Sequence, residues 1–416
     1  MDQPEGSRSY KAAVVGAGGG AHFVHDGIGN TLYLMFPLWS ETFGLSLAQV
    51  GMLKMVYSGV MAGFQVPAGF LAERIGERRL LVVGTLLTGA GFLALGWAGG
   101  FGGLLLCLAL AGLGSAPQHP LASSVISRAF PTTGRRAALG AYNFLGDVGK
   151  IAVPAVFAGG LAWIGWQDGV LALGVAGIVA ALVLHVVLGN LNLGARPVRA
   201  RVSADATATA TDSGSDSETP GWGIRDRRGF TALSAIGMVD TGARAAFLTF
   251  VPFLLIEKGA SAETVGIGLV LVLTGGAAGK LACGLIAERL GIIRTVLVTE
   301  LATVVGMAAL IVLPYGAALA LLPFLGLALN GTSSVLYGTL GDFVDPERQS
   351  RAFGVFYTIS IGASSISPFV FGAFGDVFGV AMAVLALAAL VAVTIPLCLP
   401  LSRSLATVDA AGAQPA

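Results

Sequence analysis

GFLAERIGERR, Gly69–Arg79, lies between two long apolar runs and returns as GLIAERLGIIR at Gly284–Arg294. The two copies are 215 residues apart, so Glu73, Arg74 and Gly76 fall on Glu288, Arg289 and Gly291. Other marks keep the spacing. Pro37 maps onto Pro252 at 215, and Asp26 onto Asp240, Gly140 onto Gly354 and Pro154 onto Pro368 at 214. The chain therefore reads as one unit used twice.

Composition says what kind of unit this is. Of 416 residues, 55% are hydrophobic and 11% charged, against about 25% charged in a soluble domain. Mean hydropathy is +0.81. The 61 glycines suit helices that pack closely in a membrane. A net charge of +1 gives no reason to expect nucleic acid. Cys107, Cys283 and Cys398 sit in apolar runs without metal-ligand or CxxC spacing, and read as small packing residues.

Twelve apolar runs are each long enough to cross about 30 Å of hydrocarbon at 1.5 Å per residue. They fall near 12–39, 50–72, 80–98, 103–129, 137–161 and 167–192, then 229–256, 263–287, 294–313, 317–341, 352–375 and 379–401. The expected fold is an all-α integral membrane protein with about twelve transmembrane helices in two pseudo-symmetric six-helix bundles. Residues 1–193 form the first bundle and 229–403 the second, with a tail at 404–416. Between the bundles, 194–228 carries ADATATATDSGSDSETP, too polar to bury a core, and reads as a disordered linker. The first apolar run is too long for a cleavable signal peptide.

Lysine and arginine set the orientation. With the N-terminus inside, the cytoplasmic segments hold Arg8, Lys11, Arg74, Arg78, Arg79, Arg128, the linker arginines, Arg289, Arg294 and Arg403, while the opposite side holds only Lys258. Both termini and the linker are therefore expected in the cytoplasm. The expected location is a prokaryotic cell membrane and the expected state a monomer.

The repeated Gly-x-x-Ala-Glu-Arg-x-Gly pattern resembles the loop 2–3 signature of the major facilitator superfamily, with Glu where Asp is commoner, and the resemblance runs from about Ala12 to Pro400. It implies a gating latch built from Gly69, Glu73, Arg74, Gly76 and Arg78, with Gly284, Glu288, Arg289 and Gly291 in the second copy. The alternative is a tight turn whose charges stop translocation.

Ionisable side chains at mid-membrane cost about 2.5–3.5 kcal/mol each on insertion scales, so those that are kept mark candidate sites. Spacing i, i+4, i+8 places His22, Asp26 and Asn30 along one face of the first helix. The alternatives are a polar stripe satisfied by neighbouring helices and a cavity-facing stripe. His22 and His25 alone are weak grounds for a metal site, and no resident metal or other cofactor is expected. In the fourth helix Pro117 and Pro120 should break the helix beside Gln118 and His119. Asp147 and Lys150 are one turn apart, as are Asp240 and Arg244. Each pair is either a self-neutralising structural pair or a carboxylate and cation that exchange partners with substrate. Lys280 either lines the pathway or points toward the latch. Lys54, His185 and Glu300 are set aside as lying near helix ends.

A narrower resemblance is to the fosmidomycin-resistance branch. It rests on AHFVHDGIGNTLYLMFPLW, LSLAQVGMLKMVYS and GLGSAPQHPLASSVISRAF, and implies Asp26 and His119 as carried-over polar positions. The chain departs from its apparent relatives at Asp147 and Lys150, at Val153 before Pro154, and in lacking a fourth-helix arginine.

No Gly-x-x-x-x-Gly-Lys-Ser/Thr segment is present to hold ATP. The function expected is secondary transport by alternating access: proton-coupled efflux of a small organic compound, with Lys150, Arg244 and Lys280 suited to an anion. Protons would be taken by Asp26 or Asp147. The alternatives are ion-coupled uptake of a metabolite such as an organic anion and, remotely, a transporter-shaped sensor or intramembrane enzyme. No catalytic residues are assigned.

Overall fold

A computed structural model describes residues 7–130, 134–194, 224–344 and 349–412. Most of the expected linker, 195–223, lies outside them. The helices are α1 (Arg8–Phe43), α2 (Leu47–Ile75), α3 (Glu77–Leu95), α4 (Phe101–Ser115), α5 (Gln118–Ala129), α6 (Arg135–Asn190), α7 (Arg227–Glu257), α8 (Ala262–Leu290), α9 (Ile292–Val312), α10 (Tyr315–Thr339), α11 (Gln349–Phe378), α12 (Val380–Ala392) and α13 (Thr394–Gly412).

Among the described residues, ten helices are apolar enough by length and composition to span a membrane, with α4–α5 and α12–α13 each counted as one. Gly165 (φ 71, ψ 171) breaks the 56-residue α6 into two crossing lengths. The 36-residue α1 adds the remaining crossing; its polar stripe lowers its hydropathy. The fold is therefore the all-α, roughly twelve-helix membrane architecture expected. Trp163 and Val312 are more than four-fifths exposed, as side chains facing lipid are.

The repeated motif has a repeated backbone. Gly76 (φ 89) ends α2 and starts α3; Gly291 (φ 83) ends α8 and starts α9. Each donates its N–H to the carbonyl four residues back, Ala72 and Ala287, at 3.0 Å. A positive φ is strained for any residue with a Cβ, which explains glycine at both places. The paired prolines, Pro37 with Pro252 and Pro154 with Pro368, lie inside helices in both copies.

Contacts divide the chain into two compact units: Met1–Met35 with Val56–Ser217, and Phe36–Met55 with Glu218–Ala416. In the first, α3 packs on α6 and α4, and Tyr10, Val14, Leu81, Ile126, Tyr142 and Leu184 belong to one apolar cluster. In the second, α8 packs on α10 and α7 on α11. Its cluster includes Leu233, Val296, Leu336, Phe343 and Phe356, with Cys283 and Cys398 buried among them as packing residues. In this second unit Asp376 accepts hydrogen bonds from Leu47 N–H (2.6 Å) and Ala48 N–H (3.0 Å), capping α2.

Candidate functional site

Three helices of the first unit converge on Asp26. On α1, His22 lies one turn earlier, and its Nε2 is 2.9 Å from Asp26 Oδ2. The proline-marked turn at Ala116–Pro117 separates α4 from α5. It starts α5 so that His119 Nε2 lies 3.5 Å from Asp26 Oδ1. From α6, Lys150 Nζ reaches Asp26 Oδ2 at 2.9 Å and Asp147 Oδ1 at 3.1 Å. Residues expected as a stripe, a broken-helix histidine and a local pair thus form one cluster.

The His22 ring is held on every side. It stacks on Tyr142 at 4.1 Å between centroids and meets the His119 ring edge-on at 4.9 Å. A Cβ on Gly146 would fall on the imidazole, and one on Gly149 would fall on the Phe23 carbonyl. Glycine at these positions lets α6 approach α1 closely enough to seat the ring.

Hydrogen accounting at His22 shows what the cluster holds. Nδ1 lies 3.0 Å from the Tyr142 carbonyl oxygen, which can only accept, so Nδ1 carries a hydrogen. Nε2 faces Asp26 Oδ2. A neutral Nδ1–H imidazole and an ionised carboxylate would set two lone pairs against each other there. A further proton on Nε2 or on the carboxyl would remove that opposition, and Oδ2 has room for it: the atom is buried 2.9 Å from Nε2 with no partner in hydrogen-bond geometry among the described residues. With it, two carboxylates, one ammonium and one shared proton sum to zero charge.

Access is graded. Side-chain exposure is 5% at His22 and 10% at Asp26, but 30% at Lys150 and 38% at His119. The acid–imidazole contact is enclosed, and its cationic edge is reachable. His22, Asp26 and His119 also offer donor atoms within 4.8 Å of one another. The Lys150 ammonium already sits against that carboxylate, so the set does not suit a metal ion.

Other predicted residues lie beside the cluster. Asn30 turns back and donates to the Asp26 backbone carbonyl at 2.8 Å, so the expected stripe stops short of it. Gln118 is buried and lines a small apolar cavity with Val14, Gly18 and Leu81. His25 Nε2 meets Thr85 Oγ1 at 3.0 Å. Because Thr85 donates to the Leu81 carbonyl at 2.7 Å, His25 must be the donor to Thr85.

In the second unit Asp240, the counterpart of Asp26, has Oδ2 3.8 Å from Arg244 NH1. Arg244 also reaches Asn330 Oδ1 at 3.5 Å and Ser333 Oγ at 3.4 Å. Ser333 is the counterpart of His119 at the same 214-residue offset. Lys280 is half-buried on α8. Glu300, set aside from sequence as interfacial, is only 2% exposed. A signal for it was present: Thr295, Thr299 and Thr303 mark a polar face of α9, and all three are buried.

Around the motif, Glu73 is half-buried, while Arg74, Glu288 and Arg289 are exposed. Arg78 donates to the His185 carbonyl at 3.1 Å. Nothing in the structure explains glycine at 69 or 284, where a Cβ would meet open space. The buried acid here is Glu77, 2% exposed, paired with Arg128 and accepting from Ser124 Oγ at 3.0 Å. Sequence reasoning missed it because the second copy has Ile292 at that place.

Among proteins of known name, the fosmidomycin resistance protein of Escherichia coli (strain K12) is 27% identical over 189 residues, 43% of each chain. A probable L-galactonate transporter from the same organism is 28% identical over 36% of this chain and 33% of its own. The probable sulfoacetate transporter SauU of Cupriavidus necator is 26% identical over 33% of this chain and 32% of its own. The matched stretches span less than half the length of these relatives. Among solved structures, a bacterial homolog of the human lysosomal transporter Spinster superposes with a TM-score of 0.81 at 17% identity, covering 97% of this chain and 99% of that one. The nucleoside transporter NupG gives 0.71 at 12% identity, covering 94% and 99%. All but the fosmidomycin resistance protein are named as transporters or as the homolog of one. The family model described as Major Facilitator Superfamily matches residues 19–322 and 233–414, and with that match and this fold the chain belongs to the Major Facilitator Superfamily.

Proposed function

We propose that this protein is a secondary transporter that exports a small organic anion by alternating access, driven by protons exchanged at the His22–Asp26 contact. The observation that supports the reading is the pair of acceptors around His22, Tyr142 O at 3.0 Å and Asp26 Oδ2 at 2.9 Å, which favours a proton between imidazole and carboxyl. Lys150 and His119, the exposed edge of the cluster, supply an ammonium and a neutral imidazole for an anion. Anion binding would draw Lys150 away from Asp26, and the freed carboxylate would hold its proton more firmly. By linkage, anion and proton then load together, the sign that the proton-linked uptake below needs; export by exchange needs them to load in turn, each excluding the other. Residues 1–193 and 229–403 would be the two moving halves, with Glu73 and its repeat as the latch and both termini cytoplasmic.

A second reading is proton-linked uptake of the same class. It draws on the relatives named for L-galactonate and sulfoacetate, both organic anions. The test is flux in proteoliposomes of sulfoacetate, galactonate and fosmidomycin under an imposed pH gradient. Asp26→Asn should abolish pH-driven flux while keeping exchange of substrate for substrate. Full pH-driven flux in Asp26→Asn would sink the coupling role. Everted and right-side-out vesicles then separate efflux from uptake by the side on which acid drives accumulation.

A further inference from the structure

We propose that Glu300 is a second proton site, built in the second unit, which holds its proton as a carboxylic acid in this conformation. It lies outside the His22–Asp26 cluster, and only its use in transport rests on the function proposed above.

The sequence puts a carboxyl among hydroxyls. Glu300 on α9 is 2% exposed, and its hydroxyl partners are Thr394 of α13 and Thr332 of α10. Each hydroxyl has one hydrogen to give. Thr394 Oγ1 lies 2.6 Å from the Val391 carbonyl and 3.2 Å from Glu300 Oε2. The carbonyl can only accept and is the closer, so it takes the hydrogen. Thr299 Oγ1 is 3.0 Å from the carbonyls of Thr295 and Val296. Thr332 Oγ1 lies 2.7 Å from Thr299 Oγ1, and either hydroxyl can donate in that contact. Thr394 thus turns a lone pair toward Glu300. A carboxylate would face an acceptor there; a carboxylic acid has the hydrogen it lacks.

Charge balance agrees. The charged groups acting on Glu300 are Asp240 and Arg244 of α7. One guanidinium cannot balance two buried carboxylates, and it is already set against Asp240 at 3.8 Å. The other ionisable groups on the elements packed here are Tyr315 and Tyr337 on α10, Cys398, Arg403 and Asp409 on α13, Glu263, Lys280, Cys283, Glu288 and Arg289 on α8, and Arg294 on α9 itself. Arg289 and Arg294 are exposed. Helix α12 carries no ionisable side chain. Asp240 Oδ2 is buried without a hydrogen-bond partner among the described residues.

Infrared spectroscopy of the full chain in lipid, at neutral pH in H2O and D2O, reads the proton without any substrate. The parent should show a deuterium-sensitive carboxylic C=O band that Glu300→Gln removes. The amide N–H of that variant can donate to Thr394 Oγ1, so it should fold. Thr394→Val should shift the band and keep it, a signature that loss of folding does not mimic. Spectra of parent, Glu300→Gln and Thr394→Val that coincide in the carboxylic region would overturn the proposal. That failure leaves the Asp26 reading standing, because Asp26→Asn is judged by pH-driven flux. Conversely, a Glu300 band beside undiminished flux in Asp26→Asn would remove Asp26 alone. If both hold, Glu300→Gln should lower the number of protons moved per substrate by one.

Discussion

Lys150 Nζ lies 2.9 Å from Asp26 Oδ2, closer than the 3.1 Å to Asp147, its neighbour one turn away on the same helix. The ammonium is therefore shared between α1 and α6, and the Asp147–Lys150 pair is not self-contained. Asp147→Asn should leave Lys150 paired to Asp26 and cost under about 1 kcal/mol. Lys150→Gln should leave two carboxylates facing each other. Breaking a fully buried pair costs about 3–5 kcal/mol, and the 30% exposure of Lys150 lowers the expectation to about 2 kcal/mol. Thermal unfolding of the two variants checks the order. Equal losses would mean that Lys150 belongs to Asp147 alone.

The seat of His22 gives a second test. Gly146→Ala places a methyl group on the imidazole and should cost about 1–3 kcal/mol as overpacking. It should also weaken pH-driven flux by moving Nε2 off Asp26. Gly159→Ala and Gly160→Ala, where a Cβ meets open space on the same helix, serve as controls and should be neutral or slightly stabilising. Unchanged flux in Gly146→Ala, with the expected loss of stability, would separate the ring's position from coupling.

How much was legible before any coordinates follows from the kind of signal each residue gives. The repeat and the apolar runs are one-dimensional, and they carried the fold. Pairs one turn apart, such as His22 with Asp26 and Asp240 with Arg244, follow from helical periodicity alone. Lys150 with Asp26 does not, because periodicity says nothing of which faces of two helices meet. Glu300 was misjudged because its depth was read from its place near the start of a run. Its burial is set by Thr332 and Thr394, which come from other helices. Glu77 escaped because the repeat was used as a filter, and this charge occurs in one copy only.

Glu73 and Glu77, four residues apart, are predicted to differ in kind. Glu77→Gln removes the counter-charge of Arg128. Because Arg128 is 38% exposed and can return to water, the loss should be about 1–3 kcal/mol in thermal stability. Glu73→Ala should leave stability within about 0.5 kcal/mol but change the balance of inward-open and outward-open states. Cysteine accessibility in the cavity without ligand reads that balance. If accessibility and flux both match the parent, the Glu73 motif is a turn and not a latch.

Topology gives the last test. The Lys and Arg asymmetry predicts that the linker and the loop before α4 face opposite sides of the membrane. With Cys107, Cys283 and Cys398 replaced, a single cysteine at Ser213 should react with a membrane-impermeant maleimide only after cells are opened. A cysteine at Gly99 should react in intact cells. Gly99 is exposed with open space for a side chain, whereas Gly100 has φ 155 and would be strained. The expected contrast is near-complete labelling at one site and background at the other. Labelling of Ser213 in intact cells would invert the orientation. The direction of coupled flux would not change with it, because the proton gradient and the sign of coupling set that direction, not the way the chain is threaded.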